Sequence, residues 1–340
     1  MPFFQPRITP LPADLDLTGK TAVVTGATSG IGLALARQLL LLRASPVILA
    51  VRNPAKGEAV RRALLADPAV RAAHPDAVVE VRELDAESYD SVTSFARGLR
   101  AAHPRLHLLF LNAGIVALSR RLVPVTAHEA AVQVNYLSTV LLALELLPML
   151  EATARADGAP TRITFTGSRA IGGTVLASRA PLPAGQTLLG HLDAEESFVG
   201  MARYADSKLL AFLFLRELPR HYGPPGQPGG GNVVVNAFCP GMVDTALSDA
   251  VPQPLRLVVD AVKAVRARSP EKAAWVGLHA AAVAGAETHG RQLGDKEIWE
   301  PEGWVASEEA VRLQRLLWDE TVAEMARVTT VPGWMSAVLP

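Results

Sequence analysis

The sequence predicts an α/β fold, a doubly wound parallel sheet of about seven strands with helices on both faces. Three observations carry that prediction. Short apolar runs rich in Val, Ile and Leu alternate with longer helical patterns. A glycine-rich turn joins the first run to the first helix. The segments between runs are long enough for the right-handed crossovers that parallel strands need.

Taken in order, strands are expected at 21–25, 46–51, 78–81, 106–111, 162–166 and 233–238. Helices are expected at about 30–43, 54–67, 87–102, 127–153 and 201–222. Further on, 270–284 reads as helix, with Pro270 suited to a first turn after Ser269. Gln292 to Trp299 adds a last strand. A terminal helix at about 307–328 spaces Val311, Leu316, Leu317 and Met325 for packing on the domain or on a neighbour. The 340 residues read as one domain, with an insertion at about 170–200 and a C-terminal lid and helical region at about 245–340. In that last region Leu255, Leu257, Val258 and Val262 read as the core side of a helix or as a lipophilic wall.

Composition narrows the partners. Apolar residues make up 49% of the chain, enough for a large core. Basic and acidic residues number 33 each, so no charge excess draws the chain to nucleic acid or to an acidic membrane. Cys239 is the single cysteine, which rules out an intramolecular disulfide and suits a reducing compartment. It reads as a small packed side chain beside Phe238. The N-terminus, Met1-Pro-Phe-Phe-Gln-Pro, does not have the pattern of a signal peptide. No run of about 18 uncharged apolar residues suggests a membrane span. The nearest, Leu137 to Leu150, is broken by Glu145 and reads as a buried core helix. A cytoplasmic protein is expected, with a homo-oligomer left open.

Thr25-Gly-Ala-Thr28-Ser29-Gly30-Ile31-Gly32 follows the apolar run Ala22-Val23-Val24 and leads into Leu33-Ala-Leu-Ala-Arg-Gln-Leu-Leu. Strand, glycine turn and helix in that order form a cradle for a dinucleotide pyrophosphate, with the first helical N–H groups facing the anion. Gly26 allows the turn off the strand, Gly30 the approach of the phosphates and Gly32 close packing of helix on sheet. At the end of the second strand, Ala50-Val51-Arg52-Asn53 offers a cation where a carboxylate would read a ribose 2′-hydroxyl. Arg52 therefore points to NADP(H) over NAD(H), unless it is a solvated surface arginine. Arg43 is a weaker candidate. Asp85, after the third strand, suits either the adenine amine or a helix cap, and Asn112-Ala113-Gly114 is a tight turn after the fourth.

Tyr204-Ala-Asp-Ser-Lys208 places a phenol and an ammonium four residues apart on one helix face. A nearby ammonium, with a positive nicotinamide ring, favours the phenolate and suits Tyr204 to proton transfer alongside hydride transfer.

In combination these residues resemble the short-chain dehydrogenase/reductase family. Thr25–Gly32 is similar to its cofactor loop, Asn112-Ala113-Gly114 to its stabilising turn and Tyr204-x-x-x-Lys208 to its catalytic pair. Asn135 in Val-Asn-Tyr-Leu-Ser and Ser168 in Ile-Thr-Phe-Thr-Gly-Ser match in order, as does Pro240-Gly241-Met-Val243-Asp-Thr245. The resemblance spans about residues 18–300 and implies a Rossmann-type fold with a catalytic tetrad. In it Ser168 would hold the substrate oxygen and Tyr204 would be the acid/base. Lys208 would bind the nicotinamide ribose and lower the tyrosine pKa, while Asn135 would brace a helix and anchor a water. The segment with Pro240, Gly241, Val243 and Thr245 would hold the nicotinamide end.

Ser168 and Tyr204 stand 36 positions apart, against about a dozen in compact members, and the extra length resembles retinol-dehydrogenase-like and fungal biosynthetic members. Ser29 stands where many NADP-binding relatives carry a basic residue, which leaves Arg52 as the chief phosphate reader. His191, inside the insertion, is a candidate for touching substrate; no metal site is expected, since the histidines are scattered. The resulting expectation is an NADP(H)-dependent enzyme interconverting a ketone or aldehyde and an alcohol, on a lipophilic polyketide or terpenoid intermediate. The alternatives are double-bond reduction or a redox-neutral reaction at the same cofactor site, or a non-catalytic NADP-binding scaffold or sensor.

Overall fold

A strand covered on both faces buries every position, and four of the expected runs do so. In β1 (Ala22–Thr25), β2 (Val47–Val51), β4 (Leu108–Leu111) and β6 (Val233–Cys239) every residue is buried. The computed structural model describes residues 5–178, 182, 185–227, 230–244, 256, 263 and 266–336. With β3 (Val79–Glu83), β5 (Thr161–Thr166), β7 (Gln292–Gly294) and β8 (Glu297–Ile298) they form one sheet in the order β3-β2-β1-β4-β5-β6-β7-β8. Seven strands run parallel, as expected. The stretch read as one last strand is a hairpin, because Asp295 and Lys296 both take positive φ and turn the chain into the antiparallel β8.

Among the described residues the helices are α1 (Gly30–Leu41), α2 (Pro54–Ala66), α3 (Pro68–Ala73), α4 (Tyr89–Ala102), α5 (Ala130–Asp157), α6 (Leu188–Asp193), α7 (Gly200–Glu217), α8 (Pro270–Leu278) and α9 (Glu308–Ala326). Alternation along each strand sorts the core into two layers. Val23, Ile48 and Leu109 face a layer with residues of α4, α5, α7 and α9; Val24, Leu49 and Phe110 face the other, with α1 and α8. Strand order reverses between β1 and β4, and the crevice beyond their carboxyl ends is where such sheets bind ligands.

α5 is a buried core helix, as expected: it is long and apolar enough to cross a membrane by length and composition alone, yet 89% of its apolar window is buried inside the fold. It is the core helix between α4 and α7, and a π turn at Gln133–Leu137 interrupts it. α9 packs on the molecule itself: the Trp318 ring stacks 5.1 Å from Phe214 of α7 and 4.1 Å from His221.

A buried ionic cluster ties the insertion to both neighbours. His128, just before α5, places Nδ1 2.8 Å from Asp193 Oδ2 at the end of α6 and Nε2 3.3 Å from Glu324 Oε1 in α9. Tyr89 donates to Glu324, Arg327 pairs with it, and Arg120 donates to the Asp193 carbonyl. The two carboxylates outweigh burial and hold the imidazole up at about 9. A folded-state value above the ordinary 6.5 means that this contribution, roughly 3 kcal/mol, is complete below pH 6.5 and lost as pH rises through about 9. His128→Gln is therefore expected to lower Tm at pH 6 and to flatten its fall between pH 6.5 and 9; an unchanged slope in thermal melts would refute the assignment.

Candidate active site

The site starts at the turn after β1. Gly26 takes φ +66°, open to glycine at little cost, and a Cβ there would sit 3.0 Å from Ala113 Cα. Gly32 is packed harder still: a Cβ would lie 2.4 Å from Gly26 O and 2.6 Å from Asn112 Nδ2. Thr25 closes the joint. Its Oγ1 accepts from Asn112 N and Ala113 N, both at 2.9 Å, and Asn112 Nδ2 donates to Thr25 O. Ser29 precedes α1 in extended conformation and makes no side-chain cap, so the first N–H groups of α1 are left for a ligand in the cleft.

The cleft has a volume of about 640 Å³ and runs over the carboxyl ends of the strands. Gly26, Thr28, Ser29, Gly30 and Ile31 line it, with Arg52, Asp85, Asn112, Ala113 and Gly114 on one side. Ser168, Tyr204, Lys208, Pro240, Gly241 and Val243 line the rest. Gly32 and Asn135 stand behind its wall as packing and bracing residues. Thr245, like Leu255, Leu257, Val258 and Val262, lies outside the described residues.

At the adenosine end of such a cleft, Asn53 caps α2, its Oδ1 accepting from Lys56 N at 3.0 Å. Lys56, in the first turn of that helix, lines the cleft as Arg52 does. Lys56 was not anticipated, although a lysine in the first turn of a helix just after Arg52 is a readable second cation. Asp85 is not the cap of α4; Ser88 is, its side chain accepting from Ser91 N. Asp85 Oδ1 instead accepts from Glu87 N at 3.0 Å, and Asp85 lines the cleft. Arg43 is bound to Asp16 and is not among the lining residues. His191 is buried within α6 and does not line the cleft either, because the insertion turns it inward.

At the other end Asn135, in the π turn of α5, accepts from Ile115 N at 2.8 Å and donates to Ile115 O and Ser207 Oγ, both at 2.9 Å. It joins the loop after β4 to α7. Lys208 Nζ donates to Thr166 O at 2.8 Å and lies 5.9 Å from the centre of the Tyr204 ring. Ser168 caps a short 3-10 turn, accepting from Ala170 N at 3.0 Å, and lies close enough to Tyr204 for its hydroxyl to favour the phenolate. Burial pushes Lys208 down to about 8 and Tyr204 up to about 12. The shift toward the phenolate is expected with the positive nicotinamide ring in place; in the chain by itself desolvation outweighs the hydroxyl of Ser168, and the phenol keeps its proton at neutral pH.

The residues fit a nicotinamide dinucleotide: a glycine turn with no room for a Cβ, an uncapped helix start, and cations at one end with a phenol and an ammonium at the other. The comparisons agree. Residues 20–175 match the family model described as short chain dehydrogenase. The short chain dehydrogenase yanD of Aspergillus niger is 47% identical over 330 residues, 97% of this chain and 98% of that protein. The chain belongs to the short-chain dehydrogenases. The short-chain dehydrogenase/reductase tropG of Talaromyces stipitatus shares 47% over the same coverage of each chain. Among solved structures, the Pseudomonas aeruginosa RhlG/NADP active-site complex superposes with a TM-score of 0.59 at 24% identity, covering 82% of this chain and 96% of that one. That likeness is one of fold, the Rossmann-type sheet shared by these dehydrogenases. Family membership makes the protein an oxidoreductase of small molecules using NAD(P).

Gly32→Ala is expected to cost about 2–4 kcal/mol in chemical denaturation, since neither Gly26 O nor Asn112 can move without opening the joint. It should also abolish dinucleotide binding, and full retention of both would show that the contact is not tight.

Proposed function

We propose that this dehydrogenase interconverts a ketone or aldehyde and an alcohol on a lipophilic metabolite, of polyketide or terpenoid type, with NADP(H) preferred over NAD(H). One observation carries the reading: Ser168, Tyr204 and Lys208 converge at one end of a cleft whose other end holds Arg52 and Lys56. The turn from Gly26 to Gly32 and the start of α1 would hold the pyrophosphate, Arg52 and Lys56 a 2′-phosphate, and Asp85 the adenine. Asn112, Ala113 and Gly114 would border the adenosine ribose, Lys208 would take the nicotinamide ribose, and Pro240, Gly241 and Val243 would flank the nicotinamide. When bound, the dinucleotide supplies or accepts the hydride.

The protein's own groups handle the oxygen. Ser168 donates to the substrate oxygen and fixes it beside Tyr204. Tyr204, held protonated by burial, is the proton donor in the reducing direction. Lys208, still mostly charged at pH 7, is anchored on Thr166 and offers its remaining protons toward the cleft. Asn135 positions the loop after β4 against α7.

Exposed apolar side chains on the elements that carry the site favour a lipophilic substrate. Met201 lies one turn before Tyr204 on α7 and is 51% exposed, and Met242, next to Gly241, is 39% exposed. Large exposed methionines beside a polar site suit an apolar ligand.

Tyr204→Phe should lower kcat by at least about a hundredfold with dinucleotide affinity nearly intact; survival of turnover would remove Tyr204 from acid/base duty. Arg52→Asp should weaken NADPH far more than NADH in fluorescence titration, and equal losses would remove its phosphate-reading role.

A further inference from the structure

Arg52 does not face the cleft alone. Its Nη1 lies 3.7 Å from Glu87 Oε1, and its side chain is 70% exposed, free to swing between partners. Glu87 itself is held hard from the other side. Arg121 donates Nη1 to Glu87 Oε2 at 2.8 Å and Nη2 to Oε1 at 2.7 Å, a two-pronged fork that fixes the carboxylate in one orientation. Glu87 lines the same cleft as Arg52, Lys56 and Asp85, and its backbone N–H is engaged by Asp85 Oδ1. This end of the cleft thus presents a positioned anion within reach of the cation that a 2′-phosphate needs.

A phosphate ester carries nearly two negative charges at neutral pH. Settling on Arg52, it would meet Glu87 at close range and have to share the guanidinium with it. A ribose hydroxyl carries no charge and meets no such repulsion. On the reading of Arg52 as phosphate reader, we infer that Glu87 is a specificity-determining residue: it competes with the 2′-phosphate for Arg52 and narrows the preference for the phosphorylated cofactor. Arg121 acts through Glu87 as a positioning residue, drawing part of that charge away from Arg52. Preference is then set by two opposed contacts on the one carboxylate, not by Arg52 alone.

The probes are 2′-phospho-ADP-ribose and ADP-ribose, titrated calorimetrically into the full-length protein, so that no turnover is needed. Glu87→Gln keeps the shape and one acceptor for Arg121; it is expected to tighten the phosphorylated probe about three- to tenfold at low salt and to move ADP-ribose less than about twofold. The gain should shrink as salt is raised and vanish in an Arg52→Gln background. Arg121→Gln should act in the opposite sense and weaken the phosphorylated probe selectively. If Glu87→Gln leaves that probe unchanged or weaker while Arg52→Gln still weakens it selectively, the role of Glu87 is overturned and the phosphate reading of Arg52 stands. If Arg52→Gln weakens both probes equally, the phosphate reading itself fails, and the role of Glu87 with it.

Discussion

The cleft depends on one close approach, α1 against the turn that leaves β1. Gly32 can carry no side chain because Gly26 O and Asn112 Nδ2 already fill the space. Thr25 then binds the backbone of Asn112 and Ala113 through a single hydroxyl oxygen. Three elements, β1, α1 and β4, are in this way fixed to one another at the point where strand order reverses. The helix start, the glycine turn and the loop after β4 form a single rigid corner. Widening that corner would separate the phosphate cradle from the loop that Asn135 holds.

The opposite end of the cleft is organised by burial. Lys208 and Tyr204 sit where charge is poorly solvated, and their backbone and side-chain partners, Thr166 and Ser168, lie at and just past the end of β5. A low dielectric strengthens each hydrogen bond while making an unpaired charge costly. The ammonium is weakened and the phenol kept protonated by the same cause. Buried, poorly solvated groups at one end and open, competing charges at the other give the cleft two unlike halves.

Much of this was legible in the chain. The strand runs and the glycine turn follow from local pattern, because apolar periodicity and turn chemistry are short-range properties; Tyr204 and Lys208 were legible from their spacing on one helix face, and Ser168 from the family resemblance. What was not legible came from distant pairings. Glu87 gains its meaning only when Arg121, far along the chain, folds over it beside Arg52. The direction of the Tyr204 shift depends on how deeply α7 is buried, which no spacing reveals. His191 stood out in the sequence as a lone histidine in an insertion, yet the packing of α6 turns it into the protein. The turn at Asp295 and Lys296 carries no glycine, so the hairpin that completes the sheet read as one strand.

The insertion has its anchors far along the polypeptide. Leu188 N and Leu189 N, at the start of α6, donate to the Glu320 carboxylate, and Asp193 at its end shares His128 with Glu324. Both acids belong to α9, which is synthesised long after β4. Chains emerge and fold from the N-terminus. The glycine-turn corner, whose parts all precede residue 115, is therefore made before the segment beside Tyr204 has anything to rest on. Order of synthesis thus separates the two ends of the cleft in time: the parts of the glycine-turn corner emerge early, and the contacts that hold the insertion only once α9 has been made.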